Sequence, residues 1–199
     1  MKDAPFGIWE PYGTAAATDL MQGFRGNWWI AGGHAIEAFA GRVIREHDDI
    51  DIGILREDAE ALHAHLRTWD LQAADPPGTL RRWGGEPLGE SVHDVWARES
   101  PTGPWRVQFM LNESEQDEWI FRREPMLRLP LMSLTFEQGG AEYLIPEVQL
   151  LFKAKGLREK DQTDFEAALP LLEPSSKAWL SVALKMTHPG HPWIDRLGV

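Results

Sequence analysis

Two aspartates that alternate with isoleucines, Asp49 and Asp51, are the residues of this sequence best suited to chemistry. In an extended strand, residues two apart point to the same face and lie roughly 6–7 Å apart along the backbone. Neighbouring carboxylates repel each other unless a cation lies between them. Hard divalent ions prefer oxygen ligands, and Mg²⁺ is commonly held by one or two carboxylates together with substrate phosphates. The pair therefore predicts a divalent metal site at Asp49 and Asp51.

Two glycines, Gly32 and Gly33, precede the acids and follow a short apolar run that predicts a strand over residues 28–31. A tight turn that opens a helix exposes backbone N–H groups, and these groups bind anions such as phosphate. Taken singly, the acids fit a solvated strand face and the glycines fit an ordinary turn. Because the glycines and the acids occur in the order strand, turn, helix and acidic strand, together they predict a site that transfers a group from a nucleoside triphosphate.

The hydrophobic periodicity predicts the elements that must position these residues. Helices are predicted over residues 14–24, 34–41, 57–69, 146–156, 160–172 and 175–188. Strands are predicted over residues 28–31, 49–55, 81–83, 93–98 and 105–111, the last two as a hairpin. The acidic stretch 112–118 is expected to be a solvated loop. The pattern as a whole predicts an α/β fold, with a core over residues 1–130 and a helical C-terminal region over residues 131–199 packed on it.

Composition limits the classes of function. The 199 residues carry a net charge of −11, which disfavours a broad electrostatic contact with nucleic acid or an anionic membrane. The absence of cysteine excludes disulfides, thiolate metal sites and a cysteine nucleophile. No apolar run approaches the roughly 18 residues of a membrane span, and residues 1–13 lack the apolar core of a signal peptide. We therefore expect a soluble, cytoplasmic protein, whose oligomeric state the sequence leaves open.

The stretch WWIAGGHAIEAFAGRVIREHDDIDIGILRED, residues 28–58, resembles the aminoglycoside and lincosamide nucleotidyltransferases of the DNA polymerase β superfamily. The superfamily pattern is a Gly-Gly or Gly-Ser turn followed by an Asp-apolar-Asp strand, which Gly32-Gly33 and Asp49-Ile50-Asp51 match. The context from Arg45 to Asp51 is more specific to the antibiotic-modifying branch. A looser similarity runs through PEVQLLFKAKGLREKDQTDF, residues 146–165.

This resemblance implies a fold, an activity and a set of ligands. The fold is the minimal nucleotidyltransferase fold, a small mixed sheet with flanking helices. The activity is transfer of a nucleoside monophosphate, AMP from ATP or the equivalent from another nucleoside triphosphate, to a hydroxyl of a small molecule such as an aminoglycoside or lincosamide antibiotic. The resemblance also implies that Mg²⁺ binds at Asp49 and Asp51 and that Gly32 and Gly33 contact the phosphates.

One position departs from the superfamily pattern. A third carboxylate usually stands on a later strand, where it helps to hold metal and often serves as general base. The matching position in the strand over residues 105–111 is Gln108, and an amide accepts no proton at neutral pH. Three explanations remain open. The base comes from elsewhere, with Asp94 on the partner strand as the nearest candidate; the acceptor needs little help; or the chain is a nucleotide-binding module without turnover.

Two basic residues are candidates for nucleotide binding. Lys153 and Lys155 point in different directions on one predicted helix, so one faces the site and the other water. We favour Lys153 for the triphosphate because the resemblance places a basic residue in this helix near the nucleotide, with a solvated helix face as the alternative. Arg45 contacts phosphate or pairs with Asp48.

The remaining charged and histidine residues are expected to be structural. Lys160, Asp161 and Asp164 predict a charged helix start with capping and surface pairing. His188 and His191 resemble a metal pair, but the prolines of HPGHP favour a rigid turn. A nucleotidyltransferase toxin that modifies tRNA is a second possible function, and the acidic charge argues against it because RNA binding needs a basic surface.

Overall fold

A computed structural model describes residues 6–199, which divide into two units. The first unit comprises the described residues up to Ile30 together with His47–Ser114, and the second comprises Ala31–Glu46 and Glu115–Val199. Seven α-helices and ten strands form in the described part of the chain, so the predicted α/β class is confirmed. The segment 1–13 was predicted to lack the apolar core of a signal peptide, and its first five residues lie outside the described residues. The division near residue 130 stays a prediction.

The first unit is built on a mixed sheet. Its strands are β1 (Trp28–Ile30), β2 (Asp51–Leu55), β3 (Asp70–Ala73), β4 (Arg81–Arg82), β5 (Asp94–Arg98) and β6 (Val107–Glu115), and their order in the sheet is β4-β3-β5-β6-β2-β1. Strands β2 and β6 are parallel, and the other pairs are antiparallel. The predicted hairpin of β5 and β6 is confirmed, and a sheet with both senses of pairing places the acidic strand next to β6.

Alternation along the strands separates an apolar face from a polar one. Ile50, Ile52 and Ile54 are fully buried, as the period-two pattern predicts. They join a cluster with residues of the neighbouring strands, Val95, Ala97, Val107, Phe109 and Leu111. Helices α1 (Thr14–Leu20) and α3 (Ala59–His65) contribute Ala17 and Leu62 to the same cluster. The isoleucine face is therefore packed, whereas the opposite face carries Asp51 and Gln108 together with the buried Trp29.

We expect Gly53→Ala to lower the free energy of unfolding by about 1–3 kcal/mol, the usual cost of overpacking an interior. Gly53 lies opposite Trp29 in the β1–β2 pairing, and a Cβ built on Gly53 would overlap the Trp29 indole. Urea unfolding measures the loss. Gly89→Ala is the matched control. Apart from the two residues next to Gly89 in the chain, a Cβ built there meets no atom within 4 Å. Equal stability of Gly53→Ala and the wild type would contradict this packing.

The second unit is mainly helical. Its helices are α2 (Gly32–Ala40), α4 (Pro146–Lys153), α5 (Glu159–Ala168), α6 (Pro174–Thr187) and α7 (Trp193–Leu197). Two antiparallel strand pairs accompany them, β7 (Glu118–Ile120) with β8 (Arg128–Pro130) and β9 (Thr135–Gln138) with β10 (Ala141–Leu144). Pro146 occupies the first position of α4, where its fixed φ suits a helix start, as predicted. Gly41 ends α2 in the left-handed region with φ of 67°.

The elements differ from the sequence prediction in several places. The predicted helix over residues 57–69 ends at His65, and β3 begins at Asp70. The stretch 112–118 is not a loop, because β6 runs to Glu115 and β7 begins at Glu118. Strands β9 and β10 lie in the region predicted to be helical, and α7 was missed. These strands have three or four residues and α7 has five, which is too short for a clear hydrophobic period.

The longest helix over residues 6–199 is α6, with 14 residues. A membrane span needs about 20 predominantly apolar residues. No helix in this described range combines the length and hydropathy of a membrane-spanning segment.

Candidate active site

Asp51 begins β2, on the side of the first unit's sheet opposite Ile52 and Ile54, and Asp49 lies two residues before it. Strand β2 begins at Asp51, two residues later than predicted, and Asp49 belongs to the segment that enters it. Both aspartates are partly exposed, whereas Ile50 and Ile52 are fully buried. Exposure and burial thus alternate from Asp49 to Ile52, whereas every residue from Ile52 to Leu55 is buried. The donor set is all oxygen, which suits a hard divalent ion.

Gln108 lies directly beside Asp51. In the parallel pairing of β2 and β6 the two residues are in register, and the Gln108 N–H donates to the carbonyl of Ile50 at 3.0 Å. The Gln108 amide donates to Met110 Sδ at 3.4 Å. The neighbouring position on the adjacent strand thus holds a neutral amide, which can offer an oxygen ligand but accepts no proton.

Asp94 is the next acid across this polar face. It lies on β5 opposite Met110 of β6, and Trp96 lies opposite Gln108. The Oδ1 atom of Asp94 is buried and has no hydrogen-bond partner among the described residues. A buried acceptor in that state is costly unless a donor reaches it, so Asp94 stands out among the acids of the first unit.

Gly32 and Gly33 form the first turn of α2 in the second unit. Gly32 has a positive φ of 69°, which a residue with a side chain rarely adopts. Its N–H donates to Gln149 Oε1 at 2.7 Å, and both groups are buried. The Gly-Gly turn predicted that this backbone donor faces phosphate. Gln149 was not predicted as its partner, and the local signal for it is an amide inside the apolar run VQLL of α4.

Arg45 and Lys153 are brought together by Asp164. Both oxygens of Asp164 accept hydrogen bonds from Arg45, at 3.0 Å from Nε and 2.9 Å from a terminal nitrogen. Lys153 Nζ lies 2.7 Å from Asp164 Oδ2. The side chain of Asp164 is 0% exposed and that of Lys153 is 7% exposed. The two cations proposed for nucleotide binding therefore share one buried carboxylate, an arrangement that the sequence did not predict.

Asp161 extends this cluster along α5. Its carboxylate accepts two hydrogen bonds from Arg158, at 2.7 and 3.0 Å, and lies 3.7 Å from Lys153 Nζ. Burial raises the pKa of Asp161, but the hydrogen bonds from Arg158 and the charge of Lys153 outweigh it and leave that pKa lowered. The expectation of capping and surface pairing for Asp161 and Asp164 is wrong, because both are fully buried. Lys155 is exposed, whereas Lys153 is buried.

The segment that carries Arg45 is fixed by Glu37 of α2. Glu37 Oε1 accepts hydrogen bonds from the N–H groups of Ile44 at 2.8 Å and Arg45 at 3.1 Å. One carboxylate thus satisfies two backbone donors of a segment outside regular secondary structure. Arg45 is held at both its backbone and its guanidinium, which limits the positions that its side chain can adopt.

His191 is structural, as the HPGHP turn predicts. Its Nδ1 accepts from the N–H of Trp193 at 3.2 Å, and its Nε2 lies 3.1 Å from the carbonyl of Ala154. One ring nitrogen accepts and the other donates, which defines a neutral tautomer. Burial lowers the pKa of His191 in agreement with that form. Neither ring nitrogen of His191 is therefore available as a metal ligand.

Comparisons with known proteins find a matching family model and solved structures of similar fold. The family model described as aminoglycoside-2''-adenylyltransferase matches residues 15–74. A lincosamide antibiotic adenylyltransferase, LnuA, solved with lincomycin bound, is 15% identical with a TM-score of 0.55, over 83% of this chain and 99% of that one. ANT(2'')-Ia in complex with adenylyl-2''-tobramycin is 15% identical with a TM-score of 0.55, over 85% of this chain and 93% of that one.

A third similar structure is an antigenic nucleotidyltransferase-like protein from Paracoccidioides brasiliensis. It is 17% identical with a TM-score of 0.50, over 92% of this chain and 88% of that one. A comparison with curated protein sequences finds no match. At these identities the solved structures show a shared fold, and the match over residues 15–74 covers both Gly32-Gly33 and Asp49-Ile50-Asp51. The chain thus has a nucleotidyltransferase fold and resembles the aminoglycoside and lincosamide nucleotidyltransferases in sequence and in structure.

Proposed function

We propose that this chain is a metal-dependent nucleotidyltransferase that moves a nucleoside monophosphate, AMP from ATP, to a hydroxyl of a small molecule such as an aminoglycoside or lincosamide. The observation that carries the proposal is the pair of partly exposed carboxylates, Asp49 and Asp51, on the polar face of a sheet in a nucleotidyltransferase fold. Similar proteins include a lincosamide adenylyltransferase and one solved with adenylyl-2''-tobramycin, which favours these two acceptor classes.

Each proposed residue has a chemical role. Asp49 and Asp51 would hold a divalent ion, Mg²⁺ being the best match for an all-oxygen donor set. Such an ion supplies charge neutralisation at the transferring phosphoryl group. The amide oxygen of Gln108, in register with Asp51, adds a neutral donor beside the pair. The carboxylates act here as ligands and not as bases, so a separate group must accept the proton of the acceptor hydroxyl.

The proposed nucleotide contacts come from Gly32, Gly33, Arg45 and Lys153. Gly32 and Gly33 lie at the N-terminus of α2, where the helix dipole favours an anion even though the Gly32 N–H is bonded to Gln149. An ammonium group carries three donors, so Lys153 can keep its bond to Asp164 and still donate to phosphate. Arg45 is anchored by Asp164, which orients its guanidinium before substrate binds.

Transfer of label from [α-³²P]ATP tests the proposal. The purified chain is incubated with Mg²⁺ and either tobramycin or lincomycin, and labelled acceptor and released pyrophosphate are measured. We expect stoichiometric appearance of both products with at least one acceptor, and loss of both on addition of EDTA. Transfer to neither acceptor would contradict the proposal.

Two further functions are outcomes of the same assay. A nucleotide-binding module without turnover is favoured by one observation, the neutral Gln108 in register with Asp51. It predicts saturable ATP binding in the absence of any product. A tRNA-modifying transferase would label bulk tRNA and leave both antibiotics unlabelled. The net charge of −11 argues against that outcome because RNA binding depends on positive charge.

A further inference from the structure

The polar face of the first unit's sheet carries Asp94 in addition to Asp51. Strand β6 lies between β2 and β5, and its residue Gln108 is in register with Asp51 on one side and Trp96 on the other. Met110, two residues further along β6, is in register with Asp94. Paired residues share a face, and so do residues two apart on one strand. Asp51, Gln108, Met110 and Asp94 therefore all stand on the same face.

The strand between the two acids contributes only neutral side chains to this face. They are Gln108, Met110, Asn112 and Ser114, none of which accepts a proton at neutral pH. Among the described residues that β2, β5 and β6 place on this face, the carboxylates are Asp51 and Asp94. Since Asp51 is proposed as a metal ligand, Asp94 is the remaining carboxylate able to act as a base.

The surroundings of Asp94 leave one of its oxygens ready to accept a proton. Oδ1 of Asp94 is buried and lacks a hydrogen-bond partner among residues 6–199. The nearest basic residue on its own strand and face is Arg98, whose Nε is bound to Asp70 at 2.6 Å. Asp70 thus satisfies Arg98, and the Oδ1 atom of Asp94 stays an acceptor without a donor. Because Oδ1 is covered in this structure, a substrate hydroxyl supplies that donor once the partly exposed Asp94 side chain turns Oδ1 toward it.

The separation of the two acids fits a substrate that spans them. Asp94 is two strands away from Asp51 and two residues along, which places their Cα atoms about 12 Å apart from the standard strand spacing and rise. Both side chains stand on the same side of the sheet. A substrate lying on this face reaches both groups.

We propose that Asp94 is the general base of the transfer reaction, an assignment that rests on the proposed function. Its carboxylate takes the proton of the acceptor hydroxyl while the hydroxyl oxygen attacks the α-phosphorus of the nucleoside triphosphate. A bond forms between that oxygen and the α-phosphorus. The bond from the α-phosphorus to the bridging oxygen breaks, and pyrophosphate leaves with the electron pair. The proton stays on Asp94 until the adenylylated acceptor departs.

Asp94→Asn tests the assignment, because the amide keeps the shape of the side chain and cannot accept the proton. With Mg²⁺, ATP and the better of tobramycin and lincomycin, we expect kcat to fall about 10²–10⁴-fold, the usual contribution of a general base. The affinity for MgATP, measured by calorimetry without acceptor, is expected to stay within about twofold, since a base touches the acceptor and not the nucleotide. Glu90→Gln is the matched control, an exposed acid in the loop that enters β5, and it should change neither quantity.

A second variant separates a chemical role from a structural one. Removing the whole carboxylate in Asp94→Ala leaves space for a small acid, so added formate should restore part of the lost turnover. Wild-type turnover in Asp94→Asn would overturn the assignment and leave the proposed function standing. Loss of MgATP affinity together with turnover, or no rescue by formate, would overturn it as well, because the role would then be structural. Absence of transfer by the wild type would overturn the proposed function and Asp94 with it.

Discussion

Replacing Asp164 with alanine is expected to lower the free energy of unfolding by about 3–5 kcal/mol, the range found when one partner of a buried ion pair is removed. The carboxylate of Asp164 is 0% exposed and neutralises both Arg45 and Lys153. Without it, a lysine that is 7% exposed loses its closest counter-ion and faces a neighbouring arginine. Water cannot restore the lost interaction at full strength because these groups are largely shielded from solvent. Urea unfolding followed by tryptophan fluorescence measures the loss.

Glu166 provides the matched control on the same helix. It lies two residues after Asp164 and pairs with Arg196 at 2.8 Å, but both side chains are about half exposed. Exposed ion pairs contribute little to stability, so Glu166→Ala should unfold at nearly the wild-type urea concentration. Similar losses for Asp164→Ala and Glu166→Ala would contradict the burial assigned to Asp164.

A double variant tests whether the loss comes from unpaired charge. Adding Lys153→Met to Asp164→Ala removes one of the two cations that the first change leaves without its carboxylate. We expect the double variant to be more stable than Asp164→Ala alone, because replacing buried ion pairs by apolar groups is often close to neutral. A double variant less stable than the single one would show that Lys153 contributes through other contacts.

The burial of Asp164 illustrates what the sequence predicted incompletely. Charged residues at a helix start are usually solvated, and the KDQTD segment fits that description. The buried residues of α5 nevertheless include Asp161, Asp164, Phe165 and Ala168. Their spacing of three and four is the period of one helix face. Two acids on the apolar stripe were therefore visible in the sequence, but two of their partners, Arg45 and Lys153, come from other segments, which no local pattern identifies.

The elements around the acid pair were predictable because their signals are local. Strict alternation marks β2, and a turn between two apolar runs marks the β5–β6 hairpin. Register across strands is not local: burial of one face predicts only that Gln108 and Asp51 share the other face, and the structure shows that they are paired. By contrast, the bond from Gly32 to Gln149 joins residues 117 positions apart. Only the packing of α2 against α4 brings that amide to the glycine.

Asp51→Asn is expected to reduce adenylyl transfer by about 10³-fold or more, because several kcal/mol of charge stabilisation is lost and each 1.4 kcal/mol is tenfold in rate. An asparagine oxygen can still touch a cation but carries no negative charge. Asp51 stands at the first position of β2 beside Gln108, so it has no neighbouring carboxylate on β6 to replace it. Turnover at saturating MgATP is the measurement. The Mg²⁺ concentration that gives half-maximal rate should rise as well.

Glu46→Gln is the control for this change. It removes one exposed negative charge five residues earlier and should leave turnover and Mg²⁺ dependence unaltered. Unfolding of Asp51→Asn in urea should match the wild type within error, since the side chain is partly exposed and lies off the packed apolar face. Full activity in Asp51→Asn would contradict the role of the acid pair. If Asp51→Asn and Glu46→Gln lowered the rate equally, the cause would be the change in overall charge. A larger loss in Asp51→Asn indicates a charge that acts at the transferring phosphoryl group.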